Sequence, residues 1–123
     1  MRLILHIIFF SLILGNYSVI QSDSKVEYFG RHPMHGFSGS SSSITLFSEC
    51  DKIGDLCDLM FKVPIISLNS GNDNRDSNML NYLNVFMYPE IILNIKNFHI
   101  KEYRDESILS EIYIHGIKQE IKI

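Results

Sequence analysis

The sequence lacks most of what marks an enzyme or a nucleic-acid binder. Its 11 basic residues stand against 14 acidic ones, a formal net charge of −3, so no surplus of positive charge is available to hold a phosphate backbone or an anionic membrane surface. No Gly-x-Ser-x-Gly elbow, phosphate-binding loop or dinucleotide fingerprint occurs, and local spacing assembles no nucleophile with a base and an orienting acid. Cysteine is almost missing. Cys50 and Cys57 show no setting for a catalytic thiol, and in an exported chain an even count points to a disulfide between two strands, with two buried thiols as the other reading. Long apolar runs are missing too, with one exception from Leu3 to Gly15, which follows Met1-Arg2 and precedes the polar stretch Asn16 to Ser22. That run is too short to span a bilayer comfortably and has the three-part layout of a secretory signal peptide; an uncleaved anchor is the competing reading. The chain is therefore expected to be exported, periplasmic or secreted from a bacterium, with cleavage after Ser22 and a single domain over residues 23–123. No cysteine follows the run closely, which argues against lipoprotein processing. Removing residues 1–22 would take Arg2 alone among the charges, leaving 10 basic against 14 acidic residues, a net of −4.

From Lys25 onward the apolar period is two far more often than 3.6, which predicts strands. Val26 and Tyr28 alternate with Glu27. Ser38 to Ser43 reads as a Gly/Ser linker or hairpin tip before a strand over Ile44 to Cys50, and Asp51 to Asp58, with Gly54, reads as a turn. In the next strand Leu59, Phe61, Val63 and Ile65 share one face, while Pro64 suits an edge, a bulge or an outward position. Ile91, Leu93 and Ile95 form another apolar face, interrupted by Ile92. Glu102 to Ser107 reads as a charged turn, and two further strands, one with Ile112 and Ile114, flank His115-Gly116. The spacing of Met79, Leu80 and Leu83 predicts one short helix around residues 74–83, capped by Asn72 or Asp73. The expected fold is mainly β, an antiparallel sheet with one inserted helix and no internal repeat.

Asn72-Asp73-Asn74 has the alternating oxygens of a calcium loop, but no Glu follows at the required distance and Arg75 sits among the would-be ligands. A structural reading of the polar stretch is simpler. Ser67, Asn69, Ser70, Asn72 and Arg75 supply hydrogen-bond partners for a long connection crossing a sheet, Arg75 forking onto carbonyls of the preceding loop and Asp76 complementing the helix dipole. His32 and His35, with His99 elsewhere, could make a zinc constellation, yet residues three apart in extended chain point to opposite sides and Pro33 restricts their convergence; structural or rim histidines, and no metal, are expected. His115 is expected to make a backbone contact.

The segment "SLNSGNDNRDSNML", followed by "VFMYPEIIL", resembles the central signature of the YceI-like family of exported, lipocalin-like proteins. Its matching positions are Ser67, Asn69, Ser70, Gly71, Asn72, Arg75, Asp76, Tyr88 and Pro89. "VEYFGRHPMHGFSGSS", "LMFKVPIISL" and "EIYIHGIKQEIKI", the last with His115-Gly116, resemble flanking family segments in the same order, so the resemblance covers residues 25–123. It implies an extended antiparallel β-barrel without catalytic residues or metal, whose apolar interior holds a long isoprenoid lipid such as an isoprenoid quinone. Strand alternation is compatible, placing Val26, Tyr28, Leu59, Phe61, Val63, Ile65, Ile91, Leu93, Ile95, Ile112 and Ile114 as candidate lining residues; the same pattern also describes a simply filled core. The sequence departs from the family pattern at Asn78, where a His is frequent, and at Ile123, beyond which family members usually continue for several strands. The resemblance therefore implies a barrel with an open seam, whose edge offers a homodimer contact, and a transient membrane encounter to exchange ligand. The other reading is a shortened paralogue or gene fragment without ligand binding, acting through that edge.

Overall fold

Strand β1 (Val26–His32) and strand β2 (His35–Ser41) form an antiparallel hairpin that stands as its own two-stranded sheet. The computed structural model describes residues 24–102 and 107–123; the expected signal peptide and residues 103–106 of the expected charged turn lie outside the described residues. The Gly/Ser stretch expected as a linker or hairpin tip is β2 itself, and the tip is His32-Pro33-Met34-His35. Glycine weakens a strand unless something covers it, and here each glycine opposite an aromatic residue is covered by that ring. Gly39 pairs with Tyr28 and Gly30 with Phe37, so closely that a Cβ would come within 2.3 Å and 2.2 Å of the respective rings.

Five strands follow as a sheet of simple sequential order: β3 (Thr45–Cys50), β4 (Leu56–Pro64), β5 (Glu90–His99), β6 (Leu109–Ile114) and β7 (Ile117–Lys122). Residues 56–58, expected in a turn, are strand. The Cys50–Cys57 disulfide, bridging a directly opposed pair, carries β4 that much nearer to β3. The remaining tight turn is closed by Asp51, whose side chain accepts from the amides of Asp55 at 2.9 Å and Leu56 at 3.4 Å, and Gly54 takes the positive φ of 74°. Between β6 and β7 the turn residues His115 and Gly116 both have positive φ, 54° and 71°, the combination that a two-residue type I′ hairpin requires.

Opposed residues in neighbouring strands share a face, and the register sorts the sheet into two unlike surfaces. One row across it is Leu46, Phe61, Leu93, Ile112 and Gln119; the next on the same face is Ser48, Leu59, Ile95, Ser110 and Ile121. The opposite face carries Thr45, Lys62, Ile92, Tyr113 and Lys118, with ion pairs Lys62–Glu90 at 3.7 Å and Lys118–Glu111 at 3.0 Å. Ile92, which interrupts the alternation, lies on this second face.

The β4–β5 register shifts between Cys57 and Leu59, and Asn97 has a φ of 52°. Asp58 holds this bulge: its carboxylate accepts from the Asn97 amide and from Lys96 Nζ, each at 3.0 Å. These contacts, the backbone amide first, keep its carboxyl below the usual carboxylate range. The extra residue returns Phe98, paired with Cys57, to the apolar face.

α1 (Asp73–Tyr82) and a single 3-10 turn (Ile65–Ser67) occupy the β4–β5 connection. Asn72 caps the helix by accepting from the Arg75 amide at 3.0 Å. Buried Val63, Ile65 and Leu68 form the core here, packed by Met79, Leu80 and Leu83 of the helix face, by Val26 and Tyr28 of the hairpin, and by Ile44, Val85 and Ile91.

Reducing the Cys50–Cys57 bridge, or replacing both residues by Ala, should lower stability by about 2.5 kcal/mol, the loop-closure contribution for a ring this small. Denaturant melts with and without reductant measure it. An unchanged midpoint would show that the β3–β4 turn is already fixed in the unfolded chain.

Candidate functional site

The polar connection is a structural joint between hairpin, helix and sheet. Ser67 Oγ donates to the Pro64 carbonyl at 2.6 Å and lies 2.6 Å from Ser41 Oγ at the end of β2. Asn69 and Ser40 exchange both backbone hydrogen bonds at 2.9 Å, tying the hairpin to the loop. The Asn69 side chain accepts from the Gly71 amide at 2.7 Å, and Gly71 has a φ of 75°. The Ser70 amide donates to both Asp76 oxygens, at 3.2 and 3.1 Å, from the first turn of α1. Arg75 does not fork onto loop carbonyls as expected; its guanidinium lies over the Phe37 ring, 4.5 Å from the centroid, because the β1–β2 hairpin docks an aromatic face against the helix start.

A second joint closes the other side of α1. His115 Nδ1 donates to the Leu83 carbonyl at the helix C-terminus (2.8 Å), which fixes the proton on that nitrogen since a carbonyl only accepts. Its ring meets Tyr88 edge-on at 5.2 Å, and Tyr88 packs so tightly on Gly116 that a Cβ there would lie 2.6 Å from the ring. The next residue, Pro89, accepts from the Ile65 amide at 2.9 Å. Tyr88, Pro89, His115 and Gly116, distant in sequence, thus meet around the end of the helix.

The candidate lining residues divide into two groups. Val26, Tyr28, Val63, Ile65 and Ile91 belong to the filled core under α1. Ile65 is not on the strand face as expected: β4 ends at Pro64 and Ile65 turns inward to full burial in the 3-10 turn, where its amide binds Pro89. Leu59, Phe61, Leu93, Ile95, Ile112 and Ile114 line the apolar sheet face beyond that plug, where Ile95 is buried and the other five are half-buried. The lining also includes Leu46 and Phe98, which sequence reasoning missed. Leu46 continues the alternation from Ile44 and was legible; Phe98 falls out of step by the one residue that the bulge inserts. One hollow of about 560 Å³, open to solvent and lined by Phe29, Arg31 and Phe37 among others, lies on the hairpin and not on this face.

Among the described residues no three His, Cys, Asp or Glu side chains gather as a metal-binding group, and no helix is long and apolar enough to cross a membrane. His99 lies at the far end of β5, paired with Leu56. His32 and His35, however, do not point apart. The tip reverses the chain between them, making them directly opposed across β1 and β2, with ring centroids 5.5 Å apart.

This frame of sequential antiparallel strands, a plugging helix and two polar joints agrees with a family model for the YceI-like domain, which matches residues 17–123. The chain belongs to the YceI-like family. Its fold is similar to crystal structures of the Campylobacter jejuni YceI protein (TM-score 0.55, 16% identity) and of two mutants of the CJ YceI protein (both TM-score 0.56, 17% identity). Each likeness covers 87% of this chain and 65% of the other, so the chain spans just under two thirds of those structures. No curated protein matches the sequence. In this YceI-like chain β3 and β7 stand at the two edges of the sheet and do not pair with each other among the described residues, so the fold there is an open, incomplete barrel.

The Tyr88–Gly116 contact gives a direct test of the second joint. Gly116→Ala should cost about 2–3 kcal/mol, combining positive φ with overlap on the Tyr88 ring. A urea midpoint unchanged from the parent would mean that Tyr88 moves aside freely and does not brace the hairpin.

Proposed function

We propose that this YceI-like chain is an extracytoplasmic, non-catalytic binding protein for a long isoprenoid lipid, such as an isoprenoid quinone. The observation that carries the reading is the segregation of the sheet: Leu46, Phe61, Leu93 and Ile112 run unbroken across four strands on one face, while charges and ion pairs collect on the other. A chain of isoprene units offers only apolar surface and is recognised by area, at about 25 cal/mol for each Å² removed from water. A strip of branched side chains closed at one end by the Ile65 plug suits a long, thin occupant. The Cys50–Cys57 bridge and the apolar leader favour an oxidising, exported setting. Collecting so insoluble a ligand calls for a passing encounter with a membrane.

Thermal melts with a long-chain isoprenoid quinone, together with lipid extraction from the purified protein, test this. Ligand at about 100 times its dissociation constant should add about 2.7 kcal/mol, a shift of many degrees for so small a domain. Leu93→Lys on the apolar face should abolish the shift, and Ile92→Lys on the opposite face should leave it. No co-purified isoprenoid and no shift would overturn the reading.

Strand β7 favours a second reading, in which the open edge pairs with another copy of the chain. Antiparallel pairing of two β7 strands about Gln119 would set Ile117 against Ile121 on the apolar face and Lys118 against Glu120 on the other, each pair occurring twice. Light scattering should then find a dimer that Glu120→Lys breaks and that Lys118→Glu combined with Glu120→Lys restores. A monomer at all concentrations removes this reading.

A further inference from the structure

The hairpin tip carries chemistry that isoprenoid binding does not use. His32 and His35 are the last opposed pair of β1 and β2, both exposed, with their ring centroids 5.5 Å apart and their planes inclined by 37°. Opposed side chains in an antiparallel pair lie on the same side of the ribbon, so both imidazoles face one volume of solvent. Pro33 supplies the fixed φ of the first corner, and the two-residue turn keeps the backbones of His32 and His35 directly opposed. Arg31, next along β1, projects to the other face of the ribbon by strand alternation.

We propose that His32 and His35 form a two-imidazole chelate for a late first-row divalent ion, with copper(II) held most tightly. An ion about 2 Å from one nitrogen of each ring sits about 3.2 Å from each ring centre, and two such vectors spanning 5.5 Å subtend about 120°. Both side chains are exposed and free to turn a nitrogen of each ring toward one ion, at the tetrahedral or tetragonal angles these ions adopt. Imidazole suits copper, nickel and zinc, and the general order of divalent affinities places copper first. The tip is open, Met34 on the turn being 86% exposed, so water completes the coordination. Both cysteines are bridged, so no thiol competes for the ion. Joining the ends of β1 and β2, the ion would also clip the hairpin closed.

Titrating the purified protein with copper(II), followed by calorimetry and electron paramagnetic resonance, tests the site. The expected result is one strongly held ion per chain with hyperfine structure from two equivalent nitrogens. His32→Gln and His35→Gln should each weaken binding by roughly tenfold or more, since losing one ring leaves a single ligand without the chelate's effective concentration. His99→Gln should leave affinity and spectrum as they were. Both tip residues are exposed, so circular dichroism of the variants should match the parent. Copper bound equally by the doubly substituted protein, a one-nitrogen spectrum in the parent, or no binding in the parent would each overturn the proposal. None of these readouts depends on lipid, so the site stands or falls apart from isoprenoid binding.

Discussion

The helix, the β1–β2 hairpin and the β4–β5 end of the sheet meet at Ile65. Its side chain has no exposed surface, its neighbours Val63 and Leu68 come from the end of β4 and the start of the polar connection, and its amide donates to Pro89 at the entry to β5. Burying a side chain of this size contributes about 1.5–3 kcal/mol, and with so few fully buried apolar residues among those described that is a large share of the stability available. The helix, the hairpin and the sheet each send side chains to this cluster, so orienting any one of them depends on it.

The two joints on either side of the cluster explain why so many polar residues are gathered in one connection. Between Ser67 and Asp76 the side chains of Ser67, Asn69, Asn72 and Asp76 each bond backbone or another side chain, whereas Ser70 joins through its amide and its buried hydroxyl, expected to supply a partner, has none among the described residues. The demand is set by physics: a loop that crosses the end of a sheet must find partners for its own amides and carbonyls. His115 serves the same purpose for the last helical turn, where a carbonyl would otherwise lack a donor. Both joints thereby sit at the Pro64 end of β4, and apart from buried Ile95 the apolar face beyond them stays half-buried.

Most strands, the helix with its Asn72 cap and the polar role of the connection were legible in the sequence, because alternation, capping and turn chemistry are local properties. The misread elements share a cause. The Gly/Ser stretch of β2 lacks side chains that announce a strand, and becomes one only because Tyr28 and Phe37 lie across its partner glycines. Arg75 finds its partner in Phe37, from a hairpin far away in sequence. His32 and His35 were read along one strand when their relation is across two. Phe98 was missed because the bulge at Asn97 shifts the period, and nothing in the flanking residues says that Asp58 will hold it.

The sequence by itself determined the fold class, the family and the alternation that makes one sheet face apolar, since period and signature are written residue by residue. Tertiary structure alone decided how those apolar residues are divided. Val26, Tyr28, Val63, Ile65 and Ile91 are consumed in packing the plug, and beyond it Ile95 is buried while Leu59, Phe61, Leu93, Ile112 and Ile114 are left half-buried. A strand pattern specifies which way a side chain points; what stands in front of it depends on elements brought from elsewhere in the chain.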